Sequence, residues 1–269
     1  MTDFTPLDSV RRRRPLIHCV SNSVSLNDCA NLVLAVGASP IMAHAPEEAA
    51  DLTAASGATV LNTGTPDEGR FQTCLLCGEE AARRGRPVVL DPVGVGASPW
   101  RLDRVQTLLD RFPTAILRVN LGEAQALLRQ GAEAAQGVDS PAPASLEQRQ
   151  AAAAALAKRR RTAVLLSGPE DLVAAGGSVW RVFGGSPLAA SVTGTGCMLS
   201  ALCGVFAAVE PEPLRAALLA SAFWKACARQ AEERAGGRGP GSFRMALLDA
   251  AGTLRPADLE SRTRIEQLA

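Results

Sequence analysis

Apolar residues along the chain concentrate in short runs at Leu16 to Val20, Ala38 to Met42, Thr59 to Asn62, Pro87 to Asp91, Ala115 to Val119 and Thr162 to Leu166. Each is close to the length of a strand buried on both faces. Helix-sized amphipathic stretches separate them, and strands alternating with helices predict an α/β protein with a mostly parallel central sheet flanked by helices. One such stretch starts at Pro46, carries Glu47 and Glu48 in its first turn and stops at Gly57; another opens at Ser98–Pro99 and reaches Phe112 before Pro113. Both have the start and stop residues expected of helices.

Past Ser167 the pattern changes. Polar turn residues Pro169, Glu170 and Asp171 precede Leu172 to Ala175, the pair Gly176–Gly177, and Val179 to Phe183, which predicts an antiparallel hairpin at the sheet edge. From Gly196 onward the sequence predicts helices, over Met198 to Val209, from Pro213 toward Arg234, and near Arg244 to Ala251. Residues 130–145 are rich in Ala, Gly, Pro and Ser without periodicity, as in a surface loop. No fixed-period repeat appears, and the 269 residues are read as a single domain.

Charge narrows the function classes. With 28 Lys+Arg against 27 Asp+Glu there is no broad basic field of the kind that nucleic acid or an anionic membrane attracts. The run Arg11 to Arg14 reads as a solvated lead-in to the first strand. No apolar stretch is long enough to span a bilayer, and no secretory leader follows the basic run. Seven scattered cysteines suit free thiols in the cytoplasm. Cys74 and Cys77 form a CxxC without a second pair, one turn apart on a helix, and Cys203 and Cys227 read as core residues. A small-molecule substrate is the default expectation.

The segment Val192 to Cys197, VTGTGC, runs directly into an apolar helical stretch. Gly194 and Gly196 allow successive N–H groups around Thr195 to converge at a helix N-terminus, where the dipole favours an anion. Such an anion hole would stabilise charge developing during phosphoryl transfer; an ordinary glycine turn is the competing reading. Cys197 stands in the first turn of that helix, where the dipole is expected to shift it toward thiolate and fit it to act as a base.

Asp91 ends the strand PVVLD, at the edge where open α/β sheets bind ligands, and suits magnesium or its water shell, or else caps the following glycine loop. In RVNLGE, Arg118 supplies a fixed cation, while Asn120 and Glu123 are spaced to face one site across a starting helix; Glu123 alternatively complements the helix dipole. Asn22, Asn27 and Asn31 offer amides for substrate or for turns, and Met42 an apolar wall. His18 and His44 are too few for a histidine metal site.

In this order and spacing, PLIHCVSN, GASPIMAHAPEE, VLNTGT, VVLDPVGVGAS, RVNLGEA and VTGTGCMLSAL resemble the hydroxyethylthiazole kinase family, over about Pro15 to Val209. The resemblance implies a ribokinase-like three-layer fold, often a homotrimer with sites between subunits. It also implies transfer of phosphate from ATP, with magnesium, to the primary alcohol of 4-methyl-5-(2-hydroxyethyl)thiazole. By the same resemblance Met42 and Gly194 contact the thiazole, Arg118 and Ser167 contact ATP, Asp91 and Glu123 handle magnesium, and Cys197 takes the place where related kinases carry an Asp base. The pattern departs at Cys19, where the family has Asn, at Val119, where it has Gly, and at Ser167, where it has Thr; the serine keeps the hydroxyl. The rivals are a sister kinase for a pyrimidine or pyridoxal alcohol, whose expected Asp is missing, and a binding protein that has lost the chemistry.

Overall fold

The computed structural model describes residues 3–129 and 144–268. The expected strands form as β1 (Leu16–Val20), β2 (Ser39–Ile41), β3 (Ala58–Asn62), β4 (Val88–Asp91), β5 (Ile116–Val119), β6 (Ala163–Leu166), β7 (Asp171–Ala175) and β8 (Ser178–Phe183), and an unexpected ninth, β9 (Arg264–Leu268), follows. Their order in one sheet is β2-β1-β3-β4-β5-β6-β7-β8-β9. The strands from β2 to β6 run parallel, and β7, β8 and β9 add on antiparallel. This is the expected ribokinase-like α/β architecture.

Alternation along each strand divides the core into two layers. Val60, Val89, Ile116 and Leu165 face one side, where they meet α1 (Pro6–Arg13), α2 (Leu26–Val36) and later helices. Leu61, Leu90, Leu117 and Leu166 face the other, against α3 (Ala49–Ala55), α4 (Glu68–Arg83), α5 (Pro99–Arg111), α6 (Leu121–Leu128) and α7 (Leu146–Arg160). The first layer is completed by α8 (Thr195–Ala207), α9 (Pro213–Ala235), α10 (Pro240–Thr253) and α11 (Pro256–Arg262).

Local chemistry sets the helix boundaries. Ser98 caps α5 by accepting from the Arg101 N–H, with Pro99 in the first turn, as expected. The Pro46 stretch begins its helix only at Ala49. The arginine run before β1 is solvated as expected at Arg12, Arg13 and Arg14, but it is also structural: Arg11, Arg12 and Arg13 form the last turn of α1, where cations complement the helix dipole, and half-buried Arg11 donates to the Leu254 carbonyl at 2.7 Å. Asp171, expected in a turn, is the buried first residue of β7. Residues 130–143 of the expected surface loop lie outside the described residues; Ser145, at its end, forms a capping box with Gln148 at the start of α7.

The placement of α8 depends on a glycine. A β-carbon at Gly204 would lie 2.4 Å from Val60 Cγ2, so the helix rests directly on β3 because that residue has no side chain. Phe206 packs edge-on against Phe223 of α9, with ring centroids 5.9 Å apart, which holds α8 from its other side. The N-terminus of α8 is thereby carried toward the carboxyl ends of β3, β4 and β5.

Candidate active site

Period-two alternation continues past the apolar part of each strand. Because Val60, Val89 and Ile116 face α8, so do the residues two further on, Asn62, Asp91 and Arg118. Asn62 and Asp91 are direct neighbours across β3 and β4. A polar row thus forms at the carboxyl edge of the sheet, where an open α/β sheet places ligands.

Asp91 has no exposed surface. Its Oδ2 accepts from Asn62 Nδ2 and from Ser200 Oγ of α8, both at 2.7 Å, and its Oδ1 lies 3.5 Å from Arg118 Nη1. Burial pushes its carboxyl up to about 6, against the pull of the Arg118 guanidinium. Its side chain therefore serves this buried network, while its backbone carbonyl accepts from Thr63 and Val93 at the start of the loops.

Arg118 is 9% exposed, and its Nη2 donates to Ser167 Oγ at 2.6 Å. The two residues expected to contact ATP are thus brought together. The guanidinium lies flush against α8, since a β-carbon at Gly196 would meet Arg118 Nη2 at 2.6 Å and Nη1 at 2.7 Å. Gly194 is the N-cap residue, with φ of +85° and no side-chain cap, and a β-carbon there would meet Ser25 Cβ at 2.8 Å. The VTGTGC segment is therefore a helix start that requires glycine at both positions, with a buried cation beneath its first turn and its dipole pointing the same way. Two buried polar atoms here, Ser25 Oγ and Arg118 Nε, have no protein partner among the described residues. A bound polar group would satisfy them.

Cys197 is the one partly exposed cysteine; Cys19, Cys29, Cys74, Cys77, Cys203 and Cys227 are buried, and all seven are free thiols. The dipole does not leave it a ready thiolate. Burial and then the negative charge of Asp91 push its pKa up, against hydrogen bonds including one from Asn22 Nδ2, 3.2 Å from Sγ. Asn22 is 4% exposed, with Oδ1 accepting from the Val24 and Ser25 N–H groups at 3.0 Å each and Nδ2 divided between Cys197 and Asn62. It supports Cys197 rather than offering a free amide. Met42 follows β2, half-buried and packed against the first core layer.

Glu123 and Asn120 do not face one site as independent ligands. Asn120 caps α6 and Glu123 completes the capping box, each accepting from the other's N–H at 2.9 Å. The other Glu123 oxygen accepts from the Gly94 N–H at 3.0 Å, tying the loop after Asp91 to α6. No group of three or more His, Cys, Asp or Glu residues able to hold a metal occurs among the described residues. Asp91 has no exposed surface and both Glu123 oxygens are held by backbone N–H groups, so the two carboxylates fit magnesium through the water shell that this ion keeps when it arrives with nucleotide phosphate.

Of the three departures from the expected pattern, Ser167 bonds to Arg118 of the polar row, and the other two fall outside it. Val119 and Cys19 are both buried apolar residues, Val119 in the layer opposite α8 and Cys19 in the first core layer. The Val119 carbonyl still accepts from the Ser167 N–H at 2.8 Å.

Sequence reasoning missed Asn62, Ser200, Ser25 and Lys225. Lys225 is a 7% exposed cation on α9 whose Nζ lies 3.0 Å from Asp171 Oδ1 and donates to the carbonyls of Gly168 at 2.8 Å and Pro169 at 3.0 Å. It clamps the turn that carries Ser167. The available signal was a lone lysine inside the apolar run Leu218 to Ala228.

Two cavities, of about 580 and 880 Å³, share Thr114, Ala115 and Pro213 and lie before β4, β5 and β6, at the edge opposite the polar row. Alanine, glycine and proline make up much of their lining, and the polar row contributes no residue to either.

Residues 7–256 match the model of the hydroxyethylthiazole kinase family. Hydroxyethylthiazole kinase of Desulforudis audaxviator is 42% identical over 267 residues, covering 97% of this chain and 94% of that protein. That of Methanoculleus marisnigri is 41% identical over 262 residues, covering 97% and 92%. Among solved structures, a hydroxyethylthiazole kinase protein from Pyrococcus horikoshii superposes with a TM-score of 0.90 at 35% identity, covering 99% of this chain and 98% of that one. The pyridoxal kinase of Staphylococcus aureus, with a TM-score of 0.60 at 16% identity over 80% and 87% of the two chains, shares the fold. The chain belongs to the hydroxyethylthiazole kinase family.

Proposed function

We propose that this chain, as a single kinase domain, transfers the γ-phosphoryl group of ATP to the primary alcohol of 4-methyl-5-(2-hydroxyethyl)thiazole, giving the thiazole phosphate used in thiamine biosynthesis. The observation that carries the chemistry is the first turn of α8, uncapped at Gly194, with Arg118 packed beneath Gly196 and Cys197 on its surface.

In this reading the thiazole lies between Met42 and Gly194 with its alcohol near Cys197. The alcohol oxygen attacks the γ-phosphorus, the bond to the bridging oxygen of the β-phosphate breaks, and ADP leaves. Backbone N–H groups of Thr195, Gly196 and Cys197 face the charge that builds on the transferred group. Arg118, joined to Ser167, neutralises nucleotide phosphate. Cys197 Sγ takes the alcohol proton, its thiol having released one to solvent beforehand, and Asn22 holds the sulfur by its amide. Asp91 and Glu123 would hold magnesium through its waters, and the ion would supply screening of the phosphate charge. Positioning supplies most of the acceleration, and the base is secondary.

The remaining expectations belong with this proposal. Free thiols suit a cytoplasmic enzyme, and no described helix is long and apolar enough to cross a membrane. Exposed Val24, Leu34 and Met245 offer apolar surface for the homotrimer, which light scattering would detect.

The test is ADP release from ATP and magnesium with hydroxyethylthiazole, hydroxymethylpyrimidine, pyridoxal and ribose offered separately. Turnover confined to the thiazole is expected. Turnover only on another alcohol moves the substrate assignment, and thiazole binding without ADP release replaces the enzyme by a binding protein.

A further inference from the structure

Asn62 ends β3 at 2% exposure, opposite Asp91 of β4, and has no task in the chemistry proposed above. Its amide is held at both ends. Nδ2 donates to Asp91 Oδ2 at 2.7 Å, while Oδ1 accepts from the Gly64 N–H at 3.0 Å and from Asn22 Nδ2 at 2.9 Å. Asn22 repeats the arrangement, with Oδ1 on two backbone N–H groups and Nδ2 directed at Asn62 and at Cys197 Sγ.

The polarity of this chain is over-determined. An ionised carboxylate only accepts, and a backbone N–H only donates. Turning either amide over would set oxygen against oxygen at one end and N–H against N–H at the other, in a region too buried for water to repair the mismatch. The group presented to Cys197 is therefore a donor. The two loops that carry the amides are also locked together: the Ser23 N–H donates to Thr65 Oγ1 at 3.2 Å, and Arg70 Nη1 donates to the Ser21 carbonyl at 2.6 Å. Thr65 is kept at φ of +42°, a left-handed conformation that a β-branched residue adopts only when its surroundings impose it.

We infer that Asn62 is a positioning residue for the phosphoryl-transfer step: it passes the polarity set by Asp91 and the Gly64 N–H to Asn22, and so holds an amide N–H on Cys197 Sγ. The N–H leaves sulfur electron density free for the proton of the substrate alcohol. It also favours the charged sulfur against burial and against the carboxylate two links away. The inference rests on Cys197 acting as the base, and its decisive readout needs no substrate.

Iodoacetamide alkylation of the intact protein reads Cys197, because the other six thiols are buried. In Asn62→Ala the pH midpoint of alkylation should rise by about one unit. The same change should lower kcat about tenfold or more while the KM for ATP stays within about twofold. In an Asn22→Ala background, Asn62→Ala should move neither quantity further, since the two residues act in series. Asn62→Ser, which keeps an acceptor for the Gly64 N–H, carries the same test if the alanine variant does not fold. An unchanged midpoint in the Asn62 variants, or an effect fully additive with Asn22→Ala, overturns the inference. Absence of turnover by the wild type would instead count against the proposed substrate, and alkylation would still decide the role of Asn62.

Discussion

Arg118 and Gly196 are packed so closely that a single methyl group on the glycine would lie 2.6 Å from the guanidinium. Gly196 is helical and has no positive φ, so the requirement for glycine comes from the arginine and not from the backbone. The pair couples the expected nucleotide contact to the expected anion hole. Gly196→Ala should therefore behave as a displacement of Arg118, raising the KM for ATP about tenfold or more with a loss of stability of about 1–3 kcal/mol, typical of overpacking. Steady-state kinetics at varied ATP and urea denaturation check both.

Cys197→Ser replaces a thiol by a hydroxyl that is a far poorer proton acceptor at neutral pH. The expected result is a fall in kcat of about 10²-fold, with the KM for ATP little altered, since Arg118 and Ser167 are untouched. Arg118→Ala should show the converse, a raised requirement for ATP. Equal turnover by the wild type and Cys197→Ser would remove the base assignment.

Asp91 gives a pH dependence with a defined sign. Its folded pKa of about 6 lies above the ordinary value of 3.8, so the native state holds a proton that the unfolded chain releases. The contribution of this group to stability is fully present below about pH 4, is lost as pH rises to about 6, and is flat beyond. Asp91→Asn removes that slope. Relative to the wild type, the variant should gain on the order of 2 kcal/mol between pH 4.5 and 7.5, whatever its absolute stability, as measured by urea denaturation at the two pH values.

Lys225 and Asp171 form a buried ion pair beneath the turn carrying Ser167. Lys225→Met should destabilise by about 3 kcal/mol, because it leaves Asp171 buried without its cation. The double variant Lys225→Met with Asp171→Leu should recover much of the stability, although the turn is no longer clamped. A raised KM for ATP in the stable double variant would separate positioning of Ser167 from folding.

Hydrophobic patterning alone determined that this is an α/β protein with a mostly parallel sheet, where its six parallel strands lie, that a hairpin follows them, and that Cys203 and Cys227 sit in the core; the hairpin is not the sheet edge as expected, because β9 pairs outside β8. Those features are local: a strand buried on both faces is mostly apolar, and helix starts need Ser, Pro or Gly at set places. The motifs and their order placed the chain in its family. The pattern did not show β9, whose residues Arg264 to Leu268 include only two apolar positions, Ile265 and Leu268, at the sheet edge, or that the arginine run closes a helix.

What only the tertiary structure decided is how polar residues far apart in sequence meet. Asn22 follows β1, Asn62 and Asp91 end β3 and β4, and Cys197 lies in the first turn of α8, so their hydrogen-bond polarity exists only once β1, β3 and β4 lie side by side under α8. The protonation of Cys197 is of the same kind. A helix N-terminus favours a thiolate and is legible in sequence, but burial and the Asp91 charge, which oppose it, depend on neighbours brought in by the fold. Patterning reports which residues leave water; it does not report which partners they find there.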